Sequence, residues 1–423
     1  MRSLRLWVYV LLWASILASV LYPFQSPVRY VPCAVAMVLI LQLWILYSTK
    51  FKRHAVLPKT SANWALFCYL GLIIITVLLT RKGIAYLGTS LTFFVGYVFM
   101  YNFFKDSDNN KFTFVKALHT FGIIFSVLGI TFLLIDLNYP PGSAPLQQIF
   151  GNVKFGNEIF ISSLFHNENL LGALLMFSIP ATLTLYFINK DKGKMRKARY
   201  YLMAALLQLV VLWKANGRAA LLATGISGAY IASAYARRKA GLIVFITVTL
   251  VIALTISLER SSFELITVTR DPGMRGRLII WVEGIELVKR SPLVGAGLGE
   301  TKDAIERLLH QPLKVQTMHN SYFRIAVELG IPGLVVYLWF LVAILREGLL
   351  KIRRVGYQSN ERYLNFAMGL FIGNLIYELL EAPIFGGFSF QSFFLLCIIA
   401  MTLSIDGKRN NVNAKKSLFL CKG

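Results

Sequence analysis

Apolar runs of bilayer-crossing length recur along this 423-residue chain. They are interrupted once, from Ser257 to Gly333, by a long segment too polar to sit in lipid. In hydrocarbon no water is available to backbone amides, so a run of this kind satisfies its own hydrogen bonds as a helix. The expected fold class is an all-α polytopic integral membrane protein, with about 12 transmembrane helices and one large helical loop on the outer side. The spans read as 6–22, 28–47, 63–80, 86–104, 114–136, 169–188, 200–216, 219–236, 240–258, 332–350, 363–381 and 385–405. Composition agrees: 56% of residues are hydrophobic and 15% charged, outside the soluble balance.

A formal net charge of +24 would suggest nucleic acid in a soluble protein. Here the cations fall in alternate connections: Lys50–His54, Phe104–Lys111, Lys190–Arg199, Arg237–Lys239 and Arg346–Arg362, together with the tail 406–423. That is the positive-inside pattern of cytoplasmic loops, and it places both termini in the cytoplasm. The chain divides into spans 1–9 over 1–258, a large outer loop over 259–331, spans 10–12 over 332–405, and a cytoplasmic tail over 406–423. The basic lead MRSLR opens a retained helix, because no small-residue cleavage site follows it. Cys33, Cys68, Cys397 and Cys421 are scattered, and no outer-side carboxylate or His/Cys cluster has metal-ligand spacing. Neither a metal nor another cofactor is expected.

Some outer-side cations get no help from the inside rule. Arg81 and Lys82 follow the third span, where snorkelling at a helix end explains them equally well. Lys214 and Arg218 bracket the turn between the seventh and eighth spans, and Arg218 begins an apolar run, where a charge is a functional candidate. The outer connection 137–168 is rich in Pro, Gly and Asn, and it ends at His166, a residue that reads more readily as solvated than as a ligand. Asn167 or Asn169 suits the cap of the following helix. In the large loop, Leu278, Trp281, Val282, Ile285 and Val288 recur at helical spacing behind Arg275 and Arg277, up to a stop at Ser291-Pro292. A glycine-rich turn, Gly295-Ala-Gly297-Leu-Gly299, precedes a short helix from Glu300 to Leu309 that carries Arg307. Asn320 or Ser321 then caps a helix reaching Leu329, Gly330 ends it, and Pro332 opens the tenth span. His319 thus stands at a helix N-terminus, where the partial positive charge favours neutral imidazole and a base role. Arg324 and Glu328, spaced i,i+4, should pair.

Four motifs carry a resemblance. FHNENLLG precedes a span, NGRAALL begins one, and RGRLIIWVEGIELVKRSPLVGAGLGE and HNSYFRIAVELGIPGLVVYL fill the loop and its exit. Together they cover roughly residues 150–350, and they resemble the O-antigen ligase/polymerase superfamily of bacterial envelope glycosyltransferases. The resemblance implies a twelve-span protein of the bacterial inner membrane with a periplasmic active site. Such enzymes transfer a glycan from undecaprenyl pyrophosphate to an acceptor hydroxyl, which for the ligases belongs to lipid A–core oligosaccharide. Arg218 in NGRAALL, Arg277 in RGRLIIW and His319 in HNSYF match the superfamily's functional residues. A further loop arginine is implied, and Arg275, Arg290 and Arg307 compete for it, with Lys214 and Arg81 as additional cations for pyrophosphate.

Chemistry supports that set. Breaking the glycosidic bond builds negative charge on pyrophosphate, and without a metal fixed guanidinium groups have to stabilise it. The acceptor hydroxyl needs a base, for which His319 is the first candidate and Glu168, Glu378 and Glu381 are alternatives. The single dominant outer loop leans towards an O-antigen ligase, inverting and metal-independent, over a repeat-unit polymerase using the same donor. A lipid-linked glycan transporter would need charges along the midplane of the spans, and they are nearly absent there.

Overall fold

The computed structural model describes residues 2–21, 31–50, 57, 59–140, 143–236, 273–310, 318–355, 359–382 and 389–405, with backbone only at 2, 3, 31–33, 50, 85, 236, 273–279, 355, 359 and 360. The helices are α1 (Arg2–Val20), α2 (Val31–Lys50), α3 (Ser61–Thr80), α4 (Ile84–Asp106), α5 (Asp108–Leu134), α6 (Pro145–Ile149), α7 (Glu168–Asp191), α8 (Met195–Lys214) and α9 (Arg218–Ala236). They continue with α10 (Gly273–Arg290), α11 (Thr301–Leu309), α12 (Ser321–Val355), α13 (Ser359–Leu380) and α14 (Phe390–Ser404). Six of these helices are long and apolar enough to cross a membrane, in α3, α4, α5, α7, α12 and α13, and three shorter apolar helices lie in α1, α2 and α14. The chain is a multi-pass helical membrane protein. Helices α8 and α9 occupy the expected seventh and eighth spans, whereas the expected ninth, 240–258, lies outside the described residues.

Small residues set the register of the bundle. Gly172 of α7 approaches Gly217 and Ala220 at the start of α9, and Gly228 of α9 meets Leu183 of α7, so these two helices run parallel. Gly373 of α13 lies against Ala223 and Ser227, and Gly369 against Ser227, Tyr230 and Ile231, so α13 and α9 run antiparallel. Close approach of this kind replaces the hydrophobic driving force that lipid removes. Extended upward, the register brings Arg218 level with Leu380 at the end of α13. A buried polar knot adds to the packing: Gln208 Nε2 donates to Thr182 Oγ1 at 3.1 Å, Ser178 Oγ to Gln208 Oε1 at 2.6 Å, and His119 Nδ1 lies 2.9 Å from Thr182 Oγ1.

The connection after α5 is more ordered than its composition suggests. Strands β1 (Asn138–Tyr139), β2 (Asn152–Phe155) and β3 (Glu158–Phe160) form a small sheet, with β1 parallel and β3 antiparallel to β2. Fully buried Asn152 ties it to the bundle. Its amide donates to the Gly129 carbonyl at 3.0 Å, and its oxygen accepts from Ser162 N and Ser163 N. Strands of two to four residues are too short for alternation to mark them in sequence.

Glycine has the largest effect at the top of α12. The helix breaks at Gly330, with φ 72° and ψ −175°, as the Gly330/Pro332 pair leads one to expect. The break frees carbonyls that a continuous helix would use. The glycine-rich turn takes them: Ala296 N donates to Val327 O at 2.7 Å, Gly297 N to Glu328 O at 3.2 Å, and Ile331 N returns a bond to Pro292 O at 2.8 Å. This turn is therefore a fixed clamp and not the flexible connection its composition suggests. Gly295, at φ 76°, lies so close that a Cβ would sit 2.5 Å from the Glu328 carbonyl carbon. Gly295→Ala is expected to destabilise the protein by about 1–3 kcal/mol, combining backbone strain with the clash. Thermal unfolding of the purified variant checks this, and an unchanged midpoint would remove the clamp from the account.

Candidate functional site

The site is built where α10, the segment before α12 and the end of α13 meet. Asn320 caps α12, its side-chain oxygen accepting from Phe323 N at 2.9 Å, and its amide donates to the Leu379 carbonyl at 3.2 Å. Ser321 Oγ donates to the Glu381 carbonyl. His319, one residue before the cap, is held in the left-handed region at φ 48°. These constraints turn its ring towards the end of α13, where Nδ1 lies 3.0 Å from Glu381 Oε2. Both side chains are partly shielded, at 24% and 17% exposure. A carboxylate only accepts, so the shared proton belongs on Nδ1 and Nε2 keeps its lone pair for an incoming hydroxyl. Histidine oriented by a carboxylate is an arrangement suited to general base catalysis.

Helix α10 is docked on the same segment. Trp281 Nε1 donates to the Met318 carbonyl, next to His319, at 2.8 Å, and Gly284 lets the helix lie against Met318 and Phe323. Ile280, Ile305, Met318 and Val327 form a separate small apolar core beneath it. The docked face is not the expected apolar stripe: it runs through Ile280, Gly284, Leu287 and Val288, whereas Val282 and Ile285 are 62% and 49% exposed. Arg277 stands one turn before Trp281 and Arg275 two residues earlier, both in the first turns of α10, and their side chains lie outside the described residues. Arg218 opens α9, half-buried, two residues after Asn216, which is in the left-handed region at φ 53°.

Residues 202–338 match the O-antigen ligase family model. The match supports the resemblance to the O-antigen ligase/polymerase superfamily. The match runs from α8 into α12 and takes in Arg218, Arg277 and His319, along with three of the four motifs that carry the resemblance. No curated relative matches the chain.

Among the described residues of the loop, the candidate cations Arg290 and Arg307 are engaged with carboxylates. Arg290 Nε lies 3.2 Å from Glu286, exposed on the back of α10. Arg307 reaches Glu300 at 3.5 Å, and Glu300 also takes Lys82 Nζ at 2.9 Å, fastening the loop to the turn between α3 and α4. Arg81 caps α3 from the left-handed region, its amide bonding Val77 O. Lys214 is exposed in the last turn of α8, and its carbonyl accepts from Ile161 N. Arg324 and Glu328 do pair, at 2.8 Å, and Thr301 Oγ1 adds a bond to the same Glu328 oxygen. Helix α11 is thereby fixed to the helix that follows His319.

The alternative acid–base residues separate by environment. Glu378 is buried, accepting from Tyr337 OH at 2.8 Å and Asn374 Nδ2 at 2.9 Å, so its oxygens face the helix core. Glu168 sits in the first turn of α7, behind the cap that Asn167 provides through Asn169 N. His166 is not solvated as its loop position suggests: it is half-buried against the Ser19 backbone of α1, and burial pushes its pKa down to about 4. Glu381 was legible only as one of several carboxylates near a span end. Its pairing with His319 joins positions 62 residues apart, and no local pattern in the sequence carries that signal.

Proposed function

We propose that the protein is an O-antigen ligase, transferring a glycan from undecaprenyl pyrophosphate to a hydroxyl of lipid A–core oligosaccharide at the periplasmic face of the inner membrane. The observation that carries the reading is the His319–Glu381 pair at the end of α13, a base oriented by a carboxylate. In the proposed step Nε2 of His319 removes the acceptor proton as its oxygen attacks the anomeric carbon. The glycosidic oxygen leaves with the pyrophosphate and the configuration inverts. Glu381 balances the imidazolium that forms.

Arg218 and Arg277 are assigned to the leaving pyrophosphate. Two features support this placement: the register of α9 on α13 carries Arg218 level with the residue before Glu381, and the Trp281–Met318 bond draws the helix bearing Arg277 onto the His319 segment. Arg275 is the further loop arginine favoured here. Arg290 and Arg307 already have carboxylate partners and lie on exposed faces, at 62% and 60%.

Deleting the gene in the native host and separating lipopolysaccharide by size tests the assignment. A ligase predicts loss of all long chains while the glycan accumulates on its lipid carrier. Core bearing a single repeat would instead identify a repeat-unit polymerase. Because arginines stabilise the leaving group in this account, transfer by the purified protein is expected to survive excess EDTA. Activity that vanishes with chelator and returns with magnesium or manganese would overturn the arginine assignment.

A further inference from the structure

Two helix ends meet at the His319–Glu381 pair, and one side chain is bonded to both. Asn320 precedes α12, and its carbonyl accepts from Arg324 N at 3.0 Å, the first bond of that helix. Its side-chain oxygen takes the Phe323 amide, the bond that makes asparagine a good cap. The nitrogen of the same side chain donates to the Leu379 carbonyl in the last turn of α13. Because the oxygen is committed to an N–H, only the NH₂ is left to face a carbonyl, and the amide has one consistent orientation.

The Leu379 carbonyl needs a donor from outside its helix. A helical carbonyl is normally satisfied by the N–H four residues on, and here that residue is Pro383, which has none. Helix α13 therefore ends with an acceptor that helical continuation cannot satisfy, two residues before Glu381. Ser321 Oγ adds a bond to the Glu381 carbonyl at 3.3 Å, and Tyr322 OH one to the Leu375 carbonyl at 2.9 Å. The three residues after His319 thus all donate side-chain hydrogen bonds to the backbone of the segment that carries Glu381. These bonds set the height of His319 against Glu381, independently of the 3.0 Å contact between the two side chains.

We propose that Asn320 is the positioning residue of the base: it joins the start of α12 to the end of α13 and so holds the His319 ring on the Glu381 carboxylate. The proposal rests on the general-base reading of His319 given above. The residue type matters because both jobs fall to one short side chain. Aspartate caps a helix but has no proton to donate, and serine offers one oxygen where asparagine has two separated atoms.

The test uses purified full-length protein, with undecaprenyl-pyrophosphate glycan and core-bearing lipid A extracted from the native host. Asn320→Ser keeps the cap and removes the tie. It is expected to lower kcat about 10–100-fold, the penalty for a base displaced by about 1 Å, with KM for the donor and the melting midpoint near wild type. In Glu381→Ala, where no carboxylate is left to align with, the same change should cost less than about two-fold more. Equal fold-losses in the two backgrounds, or wild-type kcat in Asn320→Ser, would overturn the positioning role. Should Asn320→Ser also lower the melting midpoint, Asn320→Asp decides. It caps as well as asparagine and turns an oxygen towards the Leu379 carbonyl, so kcat must fall at least as far, and full turnover rejects the proposal. His319→Ala is measured alongside. If that variant transfers at the wild-type rate, the base reading itself has failed. If it is inactive while Asn320→Ser is unimpaired, only the positioning role has.

Discussion

His319→Ala is expected to lower the rate of glycan transfer about 10²–10⁴-fold, the range general base catalysis contributes, while donor binding remains largely intact. The separation follows from geometry. His319 is bound through Nδ1 to Glu381 and presents only Nε2, an acceptor, so it offers a hydroxyl a base and offers phosphate little. Glu381→Gln should reproduce part of the same defect, because an amide can present its NH₂ group to Nδ1 and so hold the wrong tautomer. The measurement is a pair on the same purified variants: affinity for the undecaprenyl-pyrophosphate donor and rate of transfer to acceptor. If His319→Ala abolishes donor binding as fully as removal of an arginine does, the histidine belongs to the phosphate site and the base has to be sought elsewhere. Transfer at the wild-type rate would make the His319–Glu381 pair structural.

Arg277→Ala is expected to reduce transfer about 10²–10³-fold, comparable to the loss of a principal charge-stabilising donor in other active sites. Arg277→Lys should recover little of it. Lysine keeps the charge but presents a compact ammonium in place of the planar fork that grips two phosphate oxygens. Arg218→Ala should behave like Arg277→Ala, weakening donor binding as well as turnover, since pyrophosphate is present in the ground state too. Full activity in Arg277→Lys would mean that only net charge matters at this position. Full activity in Arg277→Ala would transfer the role to Arg275.

Much of the architecture was readable from the chain alone because the bilayer limits the choices so severely. Apolar runs become helices, and caps follow from short polar residues at helix starts, as Asn167 and Asn320 bear out. The Gly330/Pro332 break and the Arg324–Glu328 pair were also local signals, spanning at most four residues. The superfamily's residues could be named for the same reason: each sits in a contiguous motif.

Sequence alone therefore determined a polytopic helical protein, its resemblance to the superfamily and the identity of three candidate residues. Only the tertiary structure decided what His319 touches, because Glu381 comes from a helix end 62 residues away and meets it through packing of α12 on α13. The same holds for the glycine clamp, whose composition reads as flexibility until its amides are seen to bond the carbonyls freed at Gly330. It holds as well for the small sheet after α5 and for the level of Arg218, which depends on glycines of α13 meeting small residues of α9. Local propensity and solvent preference act within a few residues and can be read along the chain. Pairings between distant segments depend on which surfaces fit together, and that information exists only once the helices are packed.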